Sequence, residues 1–295
     1  MTETLGVIIA IISSALGGTA AAVTRYLVTD ADALTLAILR WGIGFIVVLP
    51  ATLLLRARWP GRRDLPAIAG LGIMFFGLFF ILYNVAVSLT TATRASLALS
   101  TLPLWTMLAG AVLRIEPLTP RKSLGVGIAI LGVAGALASN LGDAPAGAWR
   151  GELIMTGAVL CMAFYNVFSR PFIARSSALG FLCVGMGCGA AALIVAGLAT
   201  GRLAVLATFG APQWTAAIYL GVAGGALAFI LWVMALQRAS PTRVANTMTV
   251  NPIAAGLLAT QLVGEPITLN LIAGLIAVFM GIWIATTERV AGPAN

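Results

Sequence analysis

The apolar residues of this chain come in long runs, broken by short polar gaps. A helix needs about 20 apolar residues to cross the hydrocarbon core of a bilayer, and ten runs qualify. They are Leu5–Val28, Ala33–Leu55, Leu65–Ser88, Ala92–Leu113, Ser123–Ser139, Glu152–Phe172, Ala178–Ala199, Trp214–Leu236, Val244–Val263 and Thr268–Thr286. The gaps are too short for a soluble domain. The pattern predicts an all-α membrane protein with ten transmembrane helices.

The pattern also repeats. Phe80-Ile81-Leu82-Tyr83 returns as Phe229-Ile230-Leu231-Trp232, Thr93-Arg94 as Thr242-Arg243, Pro103 as Pro252 and Glu116-Pro117 as Glu265-Pro266, all at an offset of 149 residues. Gly125 and Gly132 return as Gly274 and Gly281 at the same offset. Five spans per copy is an odd number, so the copies enter the membrane in opposite senses. The expected architecture is a 5+5 inverted repeat around a central cavity, the construction many secondary transporters use for alternating access. The copies span residues 1–141 and 142–295, within one integral membrane domain.

Composition agrees. Hydrophobic residues make up 60% and charged residues 9% of the chain, against about 25% charged in a soluble domain. The net charge of +8 suggests nucleic acid at first sight. However, the basic residues sit in the gaps, where they report topology. Twelve (Arg56, Arg58, Arg62, Arg63, Arg114, Arg121, Lys122, Arg170, Arg175, Arg238, Arg243, Arg289) fall on one side and four (Arg25, Arg94, Arg150, Arg202) on the other. Both termini are therefore expected in the cytoplasm, with the first run kept as a helix and not removed as a signal peptide. Histidine is absent, and Cys161, Cys183 and Cys188 all lie in apolar runs. No metal, cofactor or disulfide is expected.

Candidate chemistry is sparse. No Asp or Glu lies in the middle of a span, so the carboxylate relay common in proton-coupled carriers is missing. So is the anion that a cationic drug would need, and the Asp-rich cluster of a prenyl transferase. Arg40 is the one charge well inside a span. It either approaches a substrate carboxylate or, as the structural reading has it, caps backbone carbonyls and pins its helix, or snorkels outward. Tyr83 and its repeat mate Trp232 should approach one cavity from opposite sides, with Asn84, Trp105 and Tyr165 adding rings and amides. Ser96, Ser100 and Thr101 in the fourth span, and Asn246, Thr249 and Asn251 in the ninth, form polar stripes beside Pro103 and Pro252. Such broken helices are tolerated where they line a cavity. Substrate binding is thus assigned to Tyr83, Asn84, Ser100, Trp105, Tyr165, Trp232 and Asn246, and structural or gating roles to Arg40, Pro103, Pro252, Glu116 and Glu265. A glutamate just before a helix-initiating proline complements the helix dipole, so the two Glu-Pro turns read as structural. The small residues of the fifth and tenth spans suit close packing, within a monomer or, alternatively, at a dimer seam.

The Leu39-Arg40 pair, the Pro-centred fourth and ninth spans and the Glu-Pro turns before the fifth and tenth resemble the EamA-type drug/metabolite transporters. Within them the chain looks most like the amino-acid exporters of the YddG type. The resemblance covers essentially the whole chain. It implies a ten-helix basket whose cavity is built by the third, fourth, eighth and ninth helices, flanked by the first and sixth. It also implies export of aromatic and other neutral amino acids across a bacterial inner membrane. The second copy departs in carrying Gly189 where the first has Arg40. The alternatives are a carrier for another solute, such as a nucleotide-derived metabolite, or a non-transporting scaffold or scramblase. An enzyme is not expected.

Overall fold

The computed structural model describes residues 2–113 and 147–264 without a break, with short helical pieces and single positions within 120–132 and 269–284. Among the described residues the chain is helical. In order, the helices are α1 (Thr2–Leu27), α2 (Ala33–Leu54), α3 (Leu65–Gly72), α4 (Phe80–Leu89), α5 (Ala92–Leu99) and α6 (Leu102–Val112). In the second half follow α7 (Ala148–Arg175), α8 (Ala178–Ala199), α9 (Ala211–Gly221), α10 (Ala228–Arg238), α11 (Pro241–Asn246) and α12 (Val250–Val263). Seven helical stretches among the described residues are long and apolar enough to cross a membrane. The expected spans Ser123–Ser139 and Thr268–Thr286 and both Glu-Pro turns, Glu116 and Glu265 included, lie wholly or largely outside the described residues. Where the two spans are described, a Cβ on Gly132 would collide with that of Ala277, so small residues bring these segments into contact.

The internal repeat extends to the irregularities of the backbone. A π-helical segment, Ile73–Phe79, joins α3 to α4, and another, Val222–Leu227, joins α9 to α10. The two begin 149 residues apart. The fourth span breaks at Ser100-Thr101 between α5 and α6, and the ninth passes through a 3-10 turn at Thr247–Thr249. Pro103 and Pro252 do not kink a continuous helix; each sits in the first turn of the helix after the break, where its missing N–H costs nothing. The caps repeat as well: the Thr91 hydroxyl accepts from the Arg94 N–H, and its mate Ser240 accepts from the Arg243 N–H.

The two halves interlock. Helix α1 packs on α10 and α12 of the second half, while α7, the first helix of that half, packs on α4 and α6 of the first. The outer surface is apolar, with Ile46, Leu54, Val112, Val195 and Leu198 mostly exposed. An apolar surface of this extent calls for a lipid cover.

Candidate functional site between the two halves

The third and eighth spans meet at the centre through repeat mates. The rings of Phe80 and Phe229 lie 6.0 Å apart at 76°, and Trp41 packs edge-on against both, at 4.4 and 5.1 Å. Beside this cluster is a chamber lined by residues of α1, α2, α4, α5, α7, α10 and α12, among them Tyr83 and Trp232. Its cavity volume is about 30 Å³, room for a few water molecules at most. The chamber is narrow.

Arg40 faces into it. The residue is 3% exposed, and its Nη2 donates to the Gly224 carbonyl at 2.7 Å. Its guanidinium carbon lies 4.6 Å from the centre of the Phe80 ring, with the Trp41 and Tyr83 rings at 5.3 and 5.9 Å. It therefore points into the protein and does not snorkel. Nε and Nη1 have no hydrogen-bond acceptor. The ion pairs found among the described residues, Arg94–Glu152, Arg175–Asp64, Arg202–Asp32 and Arg243–Glu3, all engage other cations. Gly189, the repeat mate of Arg40, has a neighbour that accounts for the asymmetry: a Cβ there would stand 2.6 Å from Cβ of Phe76. Conversely, the repeat mate of Phe76 is Gly225, where a Cβ would stand 3.0 Å from the Arg40 carbonyl. Both large residues belong to the first half and both glycines to the second, so each contact sets one large residue against one glycine.

Asn251 lines the same chamber. Its Nδ2 donates to the Ser14 carbonyl at 3.3 Å, which fixes the amide and leaves Oδ1 buried without a donor. Trp232 is held by its indole N–H, which donates to Asn166 Oδ1 at 3.0 Å.

The other expected site residues lie around the chamber and do not line it. Ser100 is buried and donates to the Ser96 and Met248 carbonyls; Met248 lines the chamber in its place. Asn84 donates to the Ala33 carbonyl at 2.9 Å, tying α4 to the start of α2. Tyr165 stacks on Phe75 at 4.2 Å, and Trp105 packs partly buried against the core. Asn246 ends α11, half-buried and outside the chamber. Phe80, Phe229, Ser13 and Met162 line it without having been picked from the sequence. For the first two the repeat carried the signal, since Phe80 and Phe229 head the matched tetrapeptides.

A second, larger hollow of about 310 Å³ opens between α6, α7 and α11, lined by Thr106, Gly110, Arg170, Pro171, Pro241 and Thr242 among others. The repeat mates of these positions are packed. Ala22, Ala92 and Ala259, the mates of Pro171, Pro241 and Gly110, form a solvent-free apolar cluster, and Ala255, the mate of Thr106, is fully buried. One end of the pseudo-symmetric pair is hollow and the other is filled.

Comparison with known proteins agrees with the repeat. The model of the EamA-like transporter family matches twice, over residues 4–138 and 149–287. A probable terminal-alkyne amino-acid exporter of Streptantibioticus cattleyicolor is 28% identical over 76% of this chain and 74% of that protein. An uncharacterized transporter of Archaeoglobus fulgidus is 24% identical over 92% and 95% of the two chains. The uncharacterized inner membrane transporter YedA of Escherichia coli K12 is 29% identical over 77% and 74%. A solved crystal structure shares the fold at a TM-score of 0.65, with 19% identity over 93% of this chain and 96% of its own.

Proposed function

Since the chain belongs to the EamA-like transporter family, we propose that it exports small neutral or zwitterionic solutes, aromatic and other neutral amino acids above all, by alternating access. It is a multi-pass membrane transporter and not an enzyme. The finer reading is a ten-helix, 5+5 inverted repeat in a bacterial inner membrane, with both termini cytoplasmic. The arginine and lysine bias of the gaps and the repeat boundaries, 1–141 and 142–295, support it.

The observation that carries the reading is the unequal packing of equivalent positions. The hollow beside Arg170 and Pro241 lies on the side that the charge bias makes cytoplasmic. Its counterpart at Ala22, Ala92 and Ala259 is closed, and the aromatic chamber lies between the two halves. An inverted repeat converts one such state into the other by exchanging the conformations of its copies. A scaffold has no use for that asymmetry. A nucleotide-derived solute would call for several intramembrane cations, and only Arg40 lies well inside a span.

The test is counterflow. Proteoliposomes holding the purified protein and preloaded with unlabelled amino acid should accumulate labelled phenylalanine, leucine or threonine transiently. A panel of nucleotides and nucleotide sugars should not exchange. Exchange of the nucleotides alone would replace the amino-acid reading with the metabolite one.

A further inference from the structure

We infer that the central chamber recognises an α-amino acid by both of its charges, Arg40 taking the carboxylate and the Asn251 side-chain carbonyl taking the ammonium. The inference rests on the exporter reading and adds to it the recognition chemistry of the site.

The argument starts from unmet demand. A buried guanidinium has five N–H donors in a fixed fork, and here only Nη2 is engaged, by Gly224. Nε and Nη1 are buried with no acceptor at ordinary hydrogen-bond distance, the Tyr83 hydroxyl being the polar group beside the guanidinium. An arginine inside a membrane span is costly unless it faces partners or water, and breaking a buried ion pair is costlier than never forming one. Nη2 carries two N–H groups and Gly224 takes one, so the other can join Nε on the side of the fork, or Nη1 at its end, to face a carboxylate's two oxygens. The rings of Phe80, Trp41 and Tyr83 surround the cation and hold it by cation–π attraction, without supplying the anion.

Asn251 presents the opposite demand. Its Nδ2 is used by Ser14, so Oδ1 is left as an acceptor without a donor. Both residues line one chamber, with the rings of Phe229 and Trp232 completing it. Unmet donors, an unmet acceptor and an aromatic wall are together the complement of a neutral amino acid in its zwitterionic form. The chamber holds no solute-sized space as it stands, so binding accompanies a parting of its walls. The adjoining π segments Ile73–Phe79 and Val222–Leu227 supply adjustable backbone, and Arg40 is hydrogen-bonded to the second of them at Gly224. Asymmetry follows too: Gly189 cannot duplicate Arg40 because Phe76 occupies its space, so the chamber has a single carboxylate end.

The experiment competes labelled L-phenylalanine counterflow in proteoliposomes with unlabelled L-phenylalanine, L-phenylalaninamide and 3-phenylpropanoate. The amide lacks the carboxylate and the propanoate lacks the amine. In the wild type each analogue should compete about 10-fold less well than phenylalanine, as expected for loss of a hydrogen bond to a charged group. Arg40→Gln should abolish the preference over the amide and keep that over the propanoate; Asn251→Leu should do the reverse. Arg40 also holds Gly224, so its variant can fail to insert, and the wild-type competition then decides by itself. Equal competition by the amide overturns the carboxylate anchor, and equal competition by the propanoate overturns the ammonium acceptor. Undiminished preferences in inserted, active variants overturn both assignments and leave the exporter reading standing. No counterflow of phenylalanine, leucine or threonine in the wild type overturns the exporter reading, and the anchor with it.

Discussion

Arg94 and Glu152 meet at 2.6 Å between the two halves of the chain, and their repeat mates Arg243 and Glu3 meet in the same way at 2.7 Å. The pairs are chemically identical and physically different. The side chains of the first are 9% and 13% exposed; those of the second are 50% and 49% exposed. The buried pair lies in the half of the membrane where Ala22, Ala92 and Ala259 are packed shut. The exposed pair joins Arg243 to Glu3 next to Thr242, which lines the open hollow. Each pair therefore tracks the state of its own end, and an exchange of repeat conformations would bury the second and expose the first.

That relationship predicts opposite behaviour for two equivalent mutations. Breaking a buried pair costs about 3–5 kcal/mol, while an exposed one contributes about 0–1 kcal/mol. Glu152→Gln should therefore raise the population open at the Ala259 end, and Glu3→Gln should leave the observed state almost unchanged. The readout is labelling of Ala259→Cys by an impermeant maleimide, in a background with Cys161, Cys183 and Cys188 replaced by serine. Labelling from outside should be several-fold faster with Glu152→Gln and unaltered with Glu3→Gln. Equal rates in the two would mean that the pairs are decoration and not latches.

The chamber aromatics carry the next expectation. Tyr83 and Trp232 are nearly fully buried and line the same space, so truncation removes solute contact area. Central aromatics of binding sites are typically worth about 2 kcal/mol or more, which is roughly a 30-fold loss. Tyr83→Ala and Trp232→Ala should cut transport by about that factor, most for aromatic amino acids. Trp232→Phe keeps the ring but frees Asn166 Oδ1, now bonded to the indole, and should fall between. Unchanged rates in well-expressed alanine variants would make the rings packing only.

Much of this is legible in the sequence, and what is not has a physical reason. Long apolar runs and the 149-residue offset read directly from Phe80 and Phe229 or Arg94 and Arg243. The span Ala178–Ala199 was expected within the bounds it has. The apolar run starts the eighth span at Trp214, whereas Pro212 in the first turn begins the helix at Ala211. The π segments were invisible because an all-apolar stretch such as Ile73–Phe79 carries no periodic signal that could shift. Repeat symmetry brought Tyr83 and Trp232 to the chamber. Ser13 and Met162 also stand 149 residues apart, but a serine matched to a methionine shares no residue type that would mark the pair. Asn246 and Asn251 share one polar stripe in the sequence, and only the 3-10 turn at Thr247–Thr249 decides which amide faces inward.

Close packing of the halves predicts a contrast between two glycines. A Cβ at Gly189 meets Phe76 Cβ at 2.6 Å and the Gly72 carbonyl at 2.8 Å, whereas one at Gly42 meets nothing within 4 Å. Gly189→Ala should lower stability by about 1–3 kcal/mol through overpacking. Gly42→Ala should raise it by up to about 1 kcal/mol through helix propensity. Thermal unfolding in detergent, followed by size-exclusion fluorescence, should move in opposite directions for the two. A destabilised Gly42→Ala would show that this face of α2 is not open.

The distribution of acids predicts how the carrier is driven. The chain has no histidine, and the ion-paired carboxylates Glu3, Asp32, Asp64 and Glu152 all lie at helix ends with arginine partners. Asp30, in the turn after α1, accepts from Gln213 at 3.4 Å. None of them lines the chamber beside Arg40, so among the described residues no carboxylate or imidazole stands there to take up or release a proton as a solute passes. Downhill flux should therefore proceed in liposomes with no imposed pH difference, and a protonophore should not slow it. Among the described acids Glu152 is the least exposed of those in ion pairs and touches Arg94 across the two halves, so it is the first candidate for coupling. If flux ceased without a proton gradient and Glu152→Gln restored gradient-independent movement, the latch would also be the relay, and the uncoupled reading would be lost.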